Sequence, residues 1–237
     1  MRTHIIQTLA ELRQEKRIFI GDEMLKIDED TWVSPIQGAM LYHFASQPNV
    51  KRSLEIGFAY GFSTTYILEA LRDKSDASHV AIDPHEDTYW KSVGLKLVKH
   101  LGYNNFRWVK NYSIHELSRL IQHGSKFDLI YIDGNHRFDD ILVDFYLSDQ
   151  VLSVGGYLIL DDMWMRSTRL VKQFIATNRA YKEIPQNSAN AVVFEKIADD
   201  SRQWNHFEEF DALWRYLLFK TRRLLSKPRY WLTNILR

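Results

Sequence analysis

The sequence predicts a doubly wound α/β domain whose mostly parallel sheet ends in an antiparallel hairpin. Three observations predict it. Short apolar runs alternate with helical patterns from residue 52 onward, the first of these runs ends in a glycine-bearing turn, and two strand-like runs near residue 190 are joined by a very short link. Alternation at this spacing suits a parallel sheet covered on both faces. Strands joined by so short a link must pair antiparallel.

In chain order, residues 3–18 place Ile5, Ile6, Leu9 and Leu12 at helical spacing, and "IQGAMLYHFASQ" (36–47) follows the start signal at Pro35 as a second amphipathic helix. Strands are expected at "RSLEI" (52–56), "HVAI" (79–82), "FRWV" (106–109), "FDLIYI" (127–132) and "GYLIL" (156–160). Helices are expected at about 62–72, 87–101, 113–123, 137–152 and 166–178. "AYKEI" (180–184) and "NAVVFEKI" (190–197), split by the turn-rich "PQNSA", form the hairpin. This divides the chain into a helical lead-in or lid (1–50), the α/β domain (51–197) and a helical C-terminal extension (198–237).

That extension is polar and acidic to residue 212 and basic at its end, where Lys220, Arg222, Arg223, Lys227, Arg229 and Arg237 occur without an acid. Leu217, Leu218, Leu224 and Leu225 share a helical face until Pro228. Two readings stay open: a helix packed on the domain or on a second copy in a homodimer, or an interfacial helix touching anionic lipid or an anionic partner.

Composition narrows the function classes. Hydrophobic residues at 45% and charged residues at 26% are those of an ordinary globular protein, and a net charge of +1 offers no basic field for nucleic acid, which is not expected as a partner. The absence of cysteine excludes disulfides, thiolate metal sites and cysteine nucleophiles. The first residues lack the apolar core of a signal peptide and no stretch reaches the length of a membrane span, so the expected location is cytoplasmic.

The turn after the first strand reads "LEIGFAYGFSTT", with Glu55, Gly57, Tyr60, Gly61 and Ser63. Ligands of open α/β sheets sit at strand carboxyl ends, where glycine permits close backbone approach. Gly57 and Gly61 are too far apart for the dinucleotide fingerprint, which argues against an NAD-dependent oxidoreductase. An acid here repels pyrophosphate but suits a cationic ligand such as S-adenosylmethionine, and Asp83 in "AIDPHED" is placed to accept ribose hydroxyls.

Two further strands end in acids. "YIDGNH" holds Asp133 and His136, and "GYLILDDM" holds Asp161 and Asp162. Either ending alone serves equally as a turn or a helix cap. Together they offer the oxygen ligands a hard divalent cation prefers. His136 has three open roles: general base, metal ligand or cap of the next helix. Met163, Trp164, Tyr60, Trp32 and Pro35 are candidate pocket walls, whereas His85, His100, His115 and His206 have no pairing that spacing justifies.

Over residues 36–197 the Glu-x-Gly-x-x-x-Gly loop, the acid after the second strand and the closing hairpin resemble the class I S-adenosylmethionine-dependent methyltransferases. "LEIGFAYGFSTT", "YIDGNH" and "LSVGGYLILDDM" are most similar to the metal-dependent O-methyltransferases, namely the catechol O-methyltransferase group and the macrocin-type sugar O-methyltransferases. The resemblance implies a seven-stranded Rossmann-like sheet. It implies S-adenosylmethionine bound at Glu55, Gly57, Tyr60, Gly61, Ser63 and Asp83, with Ser113 and Tyr112 where the adenine lies. It also implies Mg2+ or another hard divalent cation on Asp133, Asp161 and Asp162, with His136 and Asp133 catalytic in O-methylation of a small-molecule hydroxyl on a sugar, diol or polyketide-like acceptor. Two positions depart from catechol O-methyltransferase: Asp162 replaces an asparagine, as in the macrocin type, and His136 replaces the catalytic lysine. A non-catalytic S-adenosylmethionine-binding interaction protein is the remaining alternative.

Overall fold

A computed structural model describes residues 17–20, 23–26 and 31–210. Its elements are β1 (Arg17–Ile20), β2 (Glu23–Lys26), α1 (Pro35–Ala45), β3 (Arg52–Ile56), α2 (Phe62–Leu71), β4 (Ser78–Ile82), α3 (Val93–His100), β5 (Phe106–Val109), α4 (Ser113–Gln122), β6 (Phe127–Ile132), α5 (Phe138–Val151), β7 (Leu152–Leu160), α6 (Arg166–Asn178), β8 (Tyr181–Ile184) and β9 (Val192–Lys196). Strands β3 to β9 form one seven-stranded sheet in the order β5-β4-β3-β6-β7-β9-β8. Its first five strands are parallel; β9 runs antiparallel to both β7 and β8. The doubly wound sheet and its closing hairpin are therefore as expected.

The period-two pattern of the central strands explains the two cores. In β6, Leu129 and Tyr131 face α1, α2 and α3, while Ile130 and Ile132 face α4, α5 and α6; Ile159 against Leu158 and Leu160 repeats this in β7. The chain lays β3, β4 and β5 outward on one side and β6 and β7 on the other. The switch in direction between β3 and β6 leaves a crevice at their carboxyl ends.

Several boundaries differ. Residues 17 and 18, expected to end the first helix, instead open the small β1–β2 hairpin; residues 3–16 lie outside the described residues. The expected helix over 87–101 is confined to α3, because Lys91 and Ser92 take left-handed φ of 53° and 59°, which ends one turn and restarts the chain. β7 starts directly from α5, longer than the expected strand. Residues 198–210 form no helix; Asn178 and Glu208 tie this stretch to α6, at 2.9 Å both ways. The basic segment beyond residue 210 lies outside the described residues. Among the described residues, no helix is long and apolar enough to cross a membrane.

Candidate active site

The crevice at the switch point is a cavity of about 480 Å3. Its floor is the turn between β3 and α2. Gly57 has φ 89°, and a Cβ there would fall 2.0 Å from the carbonyl oxygen of Asp133, so the ends of β3 and β6 approach as closely as they do only because this residue is glycine. Asp83 secures the turn: one carboxylate oxygen accepts the amides of Phe58 and Ala59 at 3.0 and 3.1 Å, and the other accepts that of His85 at 2.7 Å.

Of the residues expected to meet the cofactor, Gly57, Tyr60, Gly61, Ser63, Asp83 and Ser113 line this cavity. Glu55 does not. It is fully buried beneath the loop, accepts the hydroxyls of Ser63 and Thr64, and pairs with His79 Nε2 at 3.1 Å. Its acceptor sites are thus spent on holding the start of α2 against β3 and β4, a positioning role. His85, given no role by spacing, lines the cavity with Trp90, and Tyr60 packs on Trp90 at 5.0 Å. Asp144 lines the far wall; burial pushes its carboxyl up to about 6, against the pull of a hydrogen bond from Ser113.

The strand-end acids meet at the edge of the cavity. His136 Nε2 lies 2.6 Å from Asp162 Oδ2 and 3.9 Å from Asp133 Oδ1. Among the described residues, Asp133, His136 and Asp162 form a group whose donor atoms all lie within 4.8 Å of one another, close enough to share one ion. Asp162 reaches it from a left-handed backbone of φ 55°, with the Trp164 indole N–H donating to its other oxygen at 2.8 Å. His136 does not cap α5: its ring turns to Asp162, and Arg137 is the cap residue.

Asp161, expected beside them, faces inward. One of its oxygens accepts from the Gln37 amide and the Tyr131 hydroxyl, and the other from the Asp162 amide at 2.7 Å and Asn190 Nδ2 at 3.1 Å. Gln37, Tyr131 and Asn190 were not singled out by sequence. The signal for Gln37 was legible, since it occupies the apolar face of α1 with Met40, Leu41 and Phe44.

Charge accumulates here. Burial and the neighbouring acids push Asp133 up to about 6 and Asp161 well above its ordinary range, while the carboxylates of Asp133 and Asp162 push His136 up to about 10. Burial opposes ionisation of Asp162 too, yet the hydrogen bonds from His136 and Trp164 hold it below its ordinary value. Three acids with a single imidazolium are short of positive charge, an arrangement a divalent cation would relieve.

Residues 54–163, from β3 through both acidic strand ends, match a family model described as a methyltransferase domain. The chain is similar to the S-adenosylmethionine-dependent O-methyltransferases. A curated relative, O-methyltransferase hkm8 of Aspergillus hancockii, is 24% identical over 207 residues, covering 83% of this chain and 79% of that one. The fold is shared with O-methyltransferase TomG of Streptomyces achromogenes, solved with S-adenosylmethionine, at 17% identity and a TM-score of 0.64 over 81% of this chain and 89% of that one. It is shared also with the Podospora anserina methyltransferase PaMTH1, solved with S-adenosylhomocysteine, at 18% identity and a TM-score of 0.63 over 82% and 88%. The NAD-dependent reading is set aside by the methyltransferase match.

Proposed function

We propose that this protein is an S-adenosylmethionine-dependent O-methyltransferase that methylates a small-molecule hydroxyl on a sugar, diol or polyketide-like acceptor, with a divalent cation on Asp133 and Asp162. The observation that carries the reading is the convergence of Asp133, His136 and Asp162 at the edge of the cofactor cavity. Oxygen donors suit Mg2+ or Mn2+. When bound, the cation would lower the pKa of the acceptor hydroxyl and fix its oxygen.

The remaining work falls to the chain. Asp83 and the glycine loop hold the nucleoside end, and Asp133 joins the cavity to the cluster. His136, half-exposed, accepts the proton of the acceptor hydroxyl at Nε2 once Asp162 no longer holds the ring as an imidazolium. The acceptor oxygen attacks the methyl carbon, the carbon–sulfur bond breaks, and its electron pair stays on sulfur, leaving S-adenosylhomocysteine. Trp164, 66% exposed and pinned to Asp162, offers a preorganised face to a ring of the acceptor.

The test is calorimetric titration with S-adenosylhomocysteine in Mg2+ and in EDTA, a Mg2+ titration of Asp133→Asn, and a screen of sugars and diols for methyl transfer. Nucleoside binding with cation binding lost in Asp133→Asn supports the proposal. Nucleoside binding and turnover in EDTA would discard the cation and leave His136 as the principal catalytic group.

A further inference from the structure

Behind the carboxylate cluster lies a buried polar network that methyl transfer, as described above, does not use. Gln37 is 3% exposed, on a helix face otherwise made of Met40, Leu41 and Phe44. Its Nε2 donates to Asp161 Oδ2, 124 residues away, and contacts the Tyr131 hydroxyl at 3.3 Å. Tyr131, fully buried, donates to the same Asp161 oxygen and lies 3.2 Å from Asp133 Oδ2. An amide on an apolar face is costly unless its hydrogen bonds are made, and these run to the acids of the site.

The packing that brings Gln37 there is specific. A Cβ on Gly38 would fall 2.3 Å from the Tyr66 ring, so glycine allows α1 to lie against α2. Ser34 Oγ accepts the Gln37 amide at 3.2 Å and Pro35 starts the helix, which fixes the turn carrying Gln37.

We infer that Gln37 is a positioning residue for the cation cluster, acting through Asp161 and Tyr131. The inference rests on the cation reading above. Asp161 is engaged at both oxygens: Gln37 and Tyr131 hold one, and the other holds the Asp162 amide. Asp161 thereby keeps Asp162 in its left-handed turn, which aims the Asp162 carboxylate at His136 and Asp133. The Tyr131 hydroxyl, its one proton given to Asp161, also lies against Asp133. The lead-in helix is then part of the catalytic architecture and not only a cover for it.

The test is a Mn2+ titration, read by electron paramagnetic resonance of the free ion, on the wild-type chain, Gln37→Met and Tyr131→Phe. S-adenosylhomocysteine affinity is measured on the same samples. Methionine replaces glutamine at similar volume without a polar head; Tyr131→Phe removes one hydroxyl and leaves α1 untouched, so it decides the matter if Gln37→Met disturbs packing. The expected result is Mn2+ affinity weakened about tenfold in each variant, with nucleoside affinity held within about twofold. Adding Gln37→Met to Asp161→Asn should cost nothing further, since both act through one network. Unchanged Mn2+ affinity in both single variants, against a wild type that binds the ion, overturns the positioning role and leaves the cation site standing. A wild type that binds no Mn2+ overturns both.

Discussion

Glu86 offers the sharpest test of the electrostatics around the cavity. It is fully buried between β4 and α3; one carboxyl oxygen accepts the Leu95 amide at 2.9 Å, and the other has no partner. Burial pushes its pKa from the ordinary 4.5 up to about 8, with the charges of Asp83 and Asp87 adding to the shift and the Leu95 and Gly94 amides opposing it. A carboxyl raised on folding holds its proton in the native state while the unfolded chain releases it, so stability falls as pH rises from 4.5 toward 8 and is level above that. At about 1.4 kcal/mol per pH unit, the loss across that window has a ceiling of about 5 kcal/mol. Glu86→Gln keeps an acceptor for Leu95 and removes the ionisation, at the cost of a buried amide without a partner, about 1–3 kcal/mol. Urea unfolding at pH 5, 7 and 9 should therefore show the wild type losing stability with pH more steeply than the variant. The variant should be the more stable of the two at pH 9, by at most about 2–4 kcal/mol, and no more stable at pH 5. Parallel stability profiles for the two chains would refute the reasoning.

Three further outcomes follow from the same geometry. Gly57→Ala meets a backbone carbonyl 2.0 Å away, in a left-handed conformation that costs about 1–2 kcal/mol by itself, and should abolish S-adenosylhomocysteine binding by calorimetry while lowering Tm. Glu55→Gln disturbs the anchors of Ser63, Thr64 and His79 at a cost of about 1–3 kcal/mol. It should weaken S-adenosylhomocysteine and 5′-methylthioadenosine equally; a loss confined to the former, which alone carries the amino acid part, would mean that Glu55 touches the ammonium. Trp164→Ala should raise KM for a ring-bearing acceptor roughly threefold to tenfold, the worth of one aromatic contact of about 0.5–1.5 kcal/mol, with cofactor affinity unchanged.

Much of this is legible in the sequence alone. The alternation that names the fold is local, because a buried parallel strand and an amphipathic helix each print their own period on the chain. The acids after β6 and β7 were legible for a related reason: a polar residue closing an apolar run marks a strand's carboxyl end, where open sheets bind ligands. The β1–β2 hairpin was not legible, since "RIFI" and "EMLK" are too short and charged to separate from the end of a helix. Nor was the stop within residues 87–101, where two left-handed residues overrule a helical pattern.

By itself, then, the sequence determined which element each functional residue sits on and that the glycine loop and both acidic strand ends lie at one edge of the sheet. Only the tertiary structure decided where those side chains point. Glu55 and Asp161 sit at the strand ends expected of them, yet both are turned inward by partners from other elements, Thr64 and His79 for one, Gln37 and Asn190 for the other. A buried carboxylate takes whatever donors packing brings within reach, and those donors come from distant parts of the chain, where no local period can announce them.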